Sequence, residues 1–213
     1  MRYATARQMV FDAYRTSRGS VIAAAIDRAR IGAEIQETAR DQSWCIVHGL
    51  EAGAVISRVE ALSPHLRDLV LVCFGPYTHD ELTDRRETVA LALYRAFLLT
   101  GRRLPGQGKS GPTAAAVVEQ LRALCQAALY HHSQTTWPYR RQGLSTPQAV
   151  RRWMWEECGV NLEGRWSNAG RVDWDSVWAW LRTRLDDWEA SGLAPVSALT
   201  RRQTQKQLAG AGS

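Results

Sequence analysis

Trp174, Val177, Trp178, Leu181, Leu185 and Trp188 recur at spacings of three, four and seven residues near the C-terminal end of the chain. Only an α-helix with one face buried brings side chains at those intervals together. Eight of the nine tryptophans lie after residue 136, so this helix must find large apolar partners nearby. Helical spacing places Trp153, Trp174, Trp178 and Trp188 in a core. Trp155 and Trp180 point off those stripes and are freer to meet a partner.

The rest of the sequence predicts helices as well. Ser63-Pro64 and Thr146-Pro147 each pair an N-cap residue with proline at the first helical position. From Ser63, Leu66, Leu69, Val70 and Cys73 keep helical spacing until Gly75-Pro76. A longer helix spans 79–100, with Leu82, Val89, Leu93, Ala96 and Phe97 as its buried stripe and Gly101 at its end. Residues 4–16, 20–40 and 44–61 predict three more. Met9, Val10 and Ala13 form one buried face, and Ile22, Ile26, Ala29 and Ala33 another. Beyond residue 112, helices are expected at 113–131, 146–158 and 173–190. In the first of these Val117, Val118, Leu121, Leu124, Cys125 and Ala128 share a face. The expected class is therefore all-α.

Residues 101–112, GRRLPGQGKSGP, lack any period and are dense in glycine and proline, which marks a basic linker. It divides the chain into a helical domain at 1–100 and a second at 113–190. After Ser191-Gly192 the sequence is small, polar and basic, so 191–213 is expected to be a disordered tail.

The charge is distributed unevenly. The overall +6 combines a neutral 1–100, a net of +5 over 101–145, −2 over 146–190, and +3 in the tail. Of the basic residues 25 are arginine and 2 are lysine, and arginine presents a rigid two-pronged donor set to phosphates and guanine edges. Genome base composition explains an arginine excess equally well, but not its interleaving with tryptophan between Trp137 and Trp188.

Other motifs point away from catalysis. Gly108-Lys109-Ser110 resembles the end of a phosphate-binding loop, but Arg103 stands where the first glycine is required and no strand precedes it. His131-His132 suits a helix C-terminus through the macrodipole and has no ligand partners at metal spacing. Cys45, Cys73, Cys125 and Cys158 never pair as CxxC and fit small buried hydrophobes in a reducing cytoplasm. Asp186-Asp187 and Glu156-Glu157 are adjacent acids of a solvated helix surface. No serine–histidine or cysteine–histidine dyad is evident, no cofactor or metal is implied, and no apolar run reaches the ~18 residues of a membrane span. The reading is of a cytoplasmic protein that is not an enzyme.

Three helices at 113–131, 146–158 and 173–190 suffice for a helix-turn-helix type domain that reads double-stranded DNA. The helix at 146–158 carries Gln148, Arg151 and Arg152 near its start and follows Arg140 and Arg141, so it is the expected groove helix. The last helix opens with Asp173 and Asp175, which phosphates repel. Arg165, Ser167, Asn168 and Arg171 in the connecting loop suit phosphates or an adjacent groove. That connection, from Val160 to Val172, is longer than a standard turn.

Leu66-Arg67-Asp68 through Gly75-Pro76-Tyr77 in the first half, and Ser145-Thr146-Pro147-Gln148-Ala149-Val150-Arg151-Arg152-Trp153 in the second, resemble the Q-like transcription antiterminators of phages and prophage lysis clusters, AlpA type. The paired CxxC zinc ligands of some members are missing. The resemblance implies a factor that binds a promoter-proximal DNA element, loads onto bacterial RNA polymerase, and prevents terminator hairpins from forming at the RNA exit channel. Under it, residues 1–100 meet the polymerase and 113–190 meet DNA. Arg95, Arg102, Arg103 and Lys109 then contact the nascent RNA or the polymerase. The alternatives are a conventional helix-turn-helix activator or repressor and a phage DNA-packaging recognition subunit.

Overall fold

Helix starts and stops follow local chemistry. In the computed structural model the described residues are 5–15, 17, 39–105, 114–136, 140–141, 143–167 and 172–210, with backbone alone at 39–48, 135–136, 140–141 and 200–210. They form α1 (residues 6–15), α2 (Ala39–Glu60), α3 (Pro64–Phe74), a 3-10 turn at Asp80–Leu82, α4 (Thr83–Leu99), α5 (Ala115–Ser133), α6 (Pro147–Cys158) and α7 (Trp174–Gly210). The helix expected at 20–40 lies outside the described residues, apart from Ala39 and Arg40, which open α2.

The Thr146 hydroxyl accepts the Ala149 amide at 3.1 Å and starts α6 behind Pro147. Gly159, at φ 65°, ends it in the left-handed region, where glycine carries no side-chain penalty. At the end of α3, Gly75 acts through space instead of through φ. A Cβ there would sit 2.5 Å from the Tyr77 ring and 2.6 Å from the Leu71 carbonyl oxygen. The class is all-α as expected, with one addition: Thr135–Thr136 pairs antiparallel with Arg140–Arg141 as a minimal ribbon between α5 and α6.

The cores do not divide at 101–112. One buried cluster joins Leu69 and Val72 of α3, Val89, Leu93 and Phe97 of α4, Leu121, Leu124, Cys125 and Ala128 of α5, Val150 and Met154 of α6, and Trp174, Trp178, Leu181, Leu185 and Trp188 of α7. Leu104, within the expected linker, is buried in the same cluster. A second cluster joins Met9, Val10, Ala13 and Tyr14 of α1, Ala52, Val55 and Val59 of α2, Val70 and Leu71 of α3, and Leu193 and Val196 of α7. α3 and α7 belong to both. The physical reason is that α3 is apolar on both sides, so consecutive residues Leu69 and Val70 feed different cores.

The expected tail is a second correction. α7 runs 37 residues, to Gly210, through Ser191, Gly192 and an internal Pro195. Leu193 and Val196 are buried, as the next turn of an amphipathic helix would require. Gly192 is present for proximity and not for termination: a Cβ there would lie 2.7 Å from Val70 Cγ2 on α3. Within the helix, the Ser191 hydroxyl donates back to the Asp187 carbonyl at 2.8 Å.

Polar ties lock these helices. Buried Asp68 of α3 accepts Arg85 of α4 at 2.8 Å and its neighbour Arg67 at 3.1 Å, which gives the Leu66-Arg67-Asp68 motif a structural task. Tyr14 donates to Glu60 at 2.8 Å, joining α1 to α2, and burial together with that carboxylate raises its phenol pKa. Cys125 is fully buried and Cys73 and Cys158 are half-buried. Burial pushes the Cys125 thiol well up. Among the described residues no helix is long and apolar enough to cross a membrane.

Candidate nucleic-acid interface

α6 is oriented by its apolar side. Val150 and Met154 enter the larger core, and Trp153 stacks on Tyr130 of α5 with centroids 5.2 Å apart and planes at 28°. With those residues turned inward, Gln148, Arg152 and Trp155 emerge together at i, i+4 and i+7, all exposed. Trp155 is 64% exposed, an uncommon state for so large a ring. Trp180, the other ring expected to be available to a partner, packs edge-on against Phe97 at 5.2 Å and is half-buried.

Arg151 takes a different place from its neighbour. It is half-buried, and its Nη2 donates to the Gly164 carbonyl at 2.6 Å. It braces the connection after α6 while Arg152 reaches outward. The separation of roles follows from the 100° step between successive helical residues.

The α6–α7 connection is long but held at several points. Leu162 is buried, and Gln120 of α5 donates to the Asn161 carbonyl at 3.1 Å. Trp174 Nε1 donates to the Glu163 carbonyl at 2.8 Å, and Trp166 Nε1 to Asp175 Oδ1 at 2.8 Å. Trp166 also packs on Trp178, with centroids 5.9 Å apart. Asp173 caps α7 by accepting the Ser176 amide at 2.9 Å. The two acids at the start of α7 are therefore engaged in building the loop, and Arg165 and Ser167 stand exposed upon it.

The remaining sequence-derived positions are spread along the fold. Arg140 and Arg141 lie in the ribbon strand that leads to α6, where only the backbone is described. Arg95 is exposed on α4, and Arg102 and Arg103 are exposed just beyond its end. Lys109, Asn168 and Arg171 lie outside the described residues. The structure thus brings Gln148, Arg152 and Trp155 onto one face and ties Arg151 to the loop that bears Arg165. Arg95 occupies a separate helix.

Two features escaped the sequence. His131 and His132 sit in the last turn of α5, as expected, but both are buried. His132 Nε2 lies 2.9 Å from Glu189 Oε2, and Arg7 pairs with the other oxygen of that carboxylate. Burial alone would raise the Glu189 carboxyl, but the His132 and Arg7 hydrogen bonds and the charges of those two residues hold it at about 2. No local signal links residues 7, 132 and 189. The second feature is a cleft between α4, α5 and α6. Among the described residues no group of three or more His, Cys, Asp or Glu side chains could hold a metal ion. No protein-family model, curated protein or solved structure matches this chain.

Proposed function

We propose that this protein is a DNA-binding transcription regulator that reads a promoter-proximal element with α6 and acts as a Q-like antiterminator on RNA polymerase. The supporting observation is the exposed Gln148–Arg152–Trp155 face on a short, capped helix whose opposite side is anchored by Trp153 and Met154. A groove helix needs such rigidity, because base contacts demand side chains held to a fraction of an ångström.

In this reading α5, α6 and α7 form the helix-turn-helix type reader. Arg152 and Gln148 address base edges, where a guanidinium suits guanine and an amide suits adenine. Trp155 supplies apolar contact beside them. Arg165 and Ser167, with Arg140, Arg141, Asn168 and Arg171, take phosphates and set the register. Arg151 is a positioning residue that keeps the loop beneath Arg165 in place. The neutral N-terminal half meets the polymerase, and Arg95, Arg102, Arg103 and Lys109 contact the emerging RNA. With that surface beside the exit channel, terminator hairpins are denied room to form.

A conventional regulator of initiation is the second reading, and one observation favours it. α3 and α4 share a core with α5, α6 and α7, so the polymerase-binding half and the reader are not built as separately jointed units. Transcription by the cognate RNA polymerase, from the promoters neighbouring the gene and across an intrinsic terminator, decides between the two. Readthrough that needs both the protein and the promoter-proximal DNA supports antitermination. Altered initiation with unchanged termination replaces it with the conventional regulator.

A further inference from the structure

On α6, Trp153, Glu156 and Glu157 line a cleft of about 700 Å3, bounded also by the C-terminal half of α5 and by the start of α4. That volume is within the usual range of a ligand site. Its wall is the stacked Tyr130–Trp153 pair, and Leu129 is buried beneath. Glu87 contributes a third carboxylate from the α4 side.

The charges set what such a cleft can hold. Three carboxylates face a single guanidinium, that of Arg86, whose Nη1 is already 2.7 Å from the His79 ring and 3.3 Å from the His79 carbonyl oxygen. The local field is negative, which repels phosphate and draws cations. Aromatic faces reinforce that choice, since the ring quadrupole attracts a guanidinium most strongly where water is partly excluded. Glu87, Glu156 and Glu157 are all exposed at the rim, so the cleft is open to a side chain entering from another protein's surface.

We propose that this cleft docks a basic polypeptide segment of a partner protein, one arginine of which lies against the Tyr130–Trp153 pair within reach of Glu87, Glu156 and Glu157. The site does not rest on the DNA reading, because Gln148, Arg152 and Trp155 are not among its lining residues, although Glu156 lies one turn beyond Arg152 on α6. It gives one helix two partners, nucleic acid at Gln148, Arg152 and Trp155 and a cationic protein segment at Glu156 and Glu157.

The test is a nitrogen-15 NMR titration of the full chain with the capped peptide Gly-Arg-Gly-Arg-Gly at low salt. The indole signal of Trp153 is identified by its loss in Trp153→Phe. Saturable movement of that signal is expected, together with roughly tenfold weaker binding by Glu156→Gln/Glu157→Gln at unchanged melting temperature. Both substituted residues are exposed, so the fold tolerates the change. A Trp153 signal that stays still at millimolar peptide overturns the proposal, as does equal binding by the double variant. An equal response to Gly-Glu-Gly-Glu-Gly or to spermidine overturns it too, since the first removes the charge argument and the second removes the polypeptide.

Discussion

His132 Nε2 of α5 lies 2.9 Å from Glu189 Oε2 of α7, and Arg7 of α1 pairs with the other oxygen of the same carboxylate. One buried group therefore ties together three helices drawn from the start, middle and end of the chain. Taking a carboxylate out of water is costly, and the site is stable only while its partners remain. This makes Glu189 the residue whose loss the fold should register most clearly.

Glu189→Gln should destabilise the protein by roughly 3–5 kcal/mol at neutral pH, as removal of one member of a buried ion pair does. The pH dependence follows from the depressed carboxyl, about 2 when folded against an ordinary 4.5. The ionised, paired form stabilises the fold fully above about pH 5, and that contribution is lost as pH falls through 4.5 toward 2. The variant should lack this acid-side loss. Thermal melts at pH 7 and pH 3 check it, and parallel profiles for the two proteins reject it.

Glycines in two helices should respond with opposite signs. Gly53 of α2 has open space where a Cβ would project, so Gly53→Ala should add about 1 kcal/mol of stability. Gly192→Ala meets Val70 Cγ2 at 2.7 Å, so overpacking of roughly 1–3 kcal/mol offsets the helical gain and the net effect is a loss. Pairing Gly192→Ala with Val70→Ala should recover part of it in a double-mutant cycle read by urea unfolding.

The end of α7 should matter to the start of the chain. Leu193→Ala should cost about 2–5 kcal/mol, since Leu193 packs in the cluster that holds Met9, Val10 and Tyr14. Hydrogen exchange should show α1 losing protection along with residues near 193. Unchanged stability would mean that this segment is the dispensable tail its composition suggests.

Adjacent arginines on α6 should separate by assay. Arg152→Ala should weaken specific DNA binding by roughly 1–3 kcal/mol per base contact with little change in stability. Arg151→Ala should lower stability by about 1 kcal/mol, through the lost hydrogen bond to Gly164. Trp155→Ala should leave the melt within about 0.5 kcal/mol, because the ring is mostly exposed. Binding isotherms and melts on all three variants, measured at one salt concentration, test the assignment of roles.

Local sequence patterns set most of the helices and much of their inward faces. Periodicity at Val89, Leu93 and Phe97, or at Trp174, Trp178, Leu181 and Leu185, expresses contacts along one side of a single element. The Thr146 cap acts on an amide only three residues away, so it too is legible without a fold. Packing between helices settled which core each face enters. It placed Leu69 and Val70 in different clusters and carried α7 through Ser191-Gly192 because α3 needed a close approach there. It also assigned Arg151 to a loop carbonyl and Arg152 to solvent, and it paired His132 with Glu189 across 57 residues. The reason is one of range. Propensity, capping and periodicity act within one or two helical turns, whereas glycine proximity, buried charge and exposed faces are set by segments that meet only after the chain has folded.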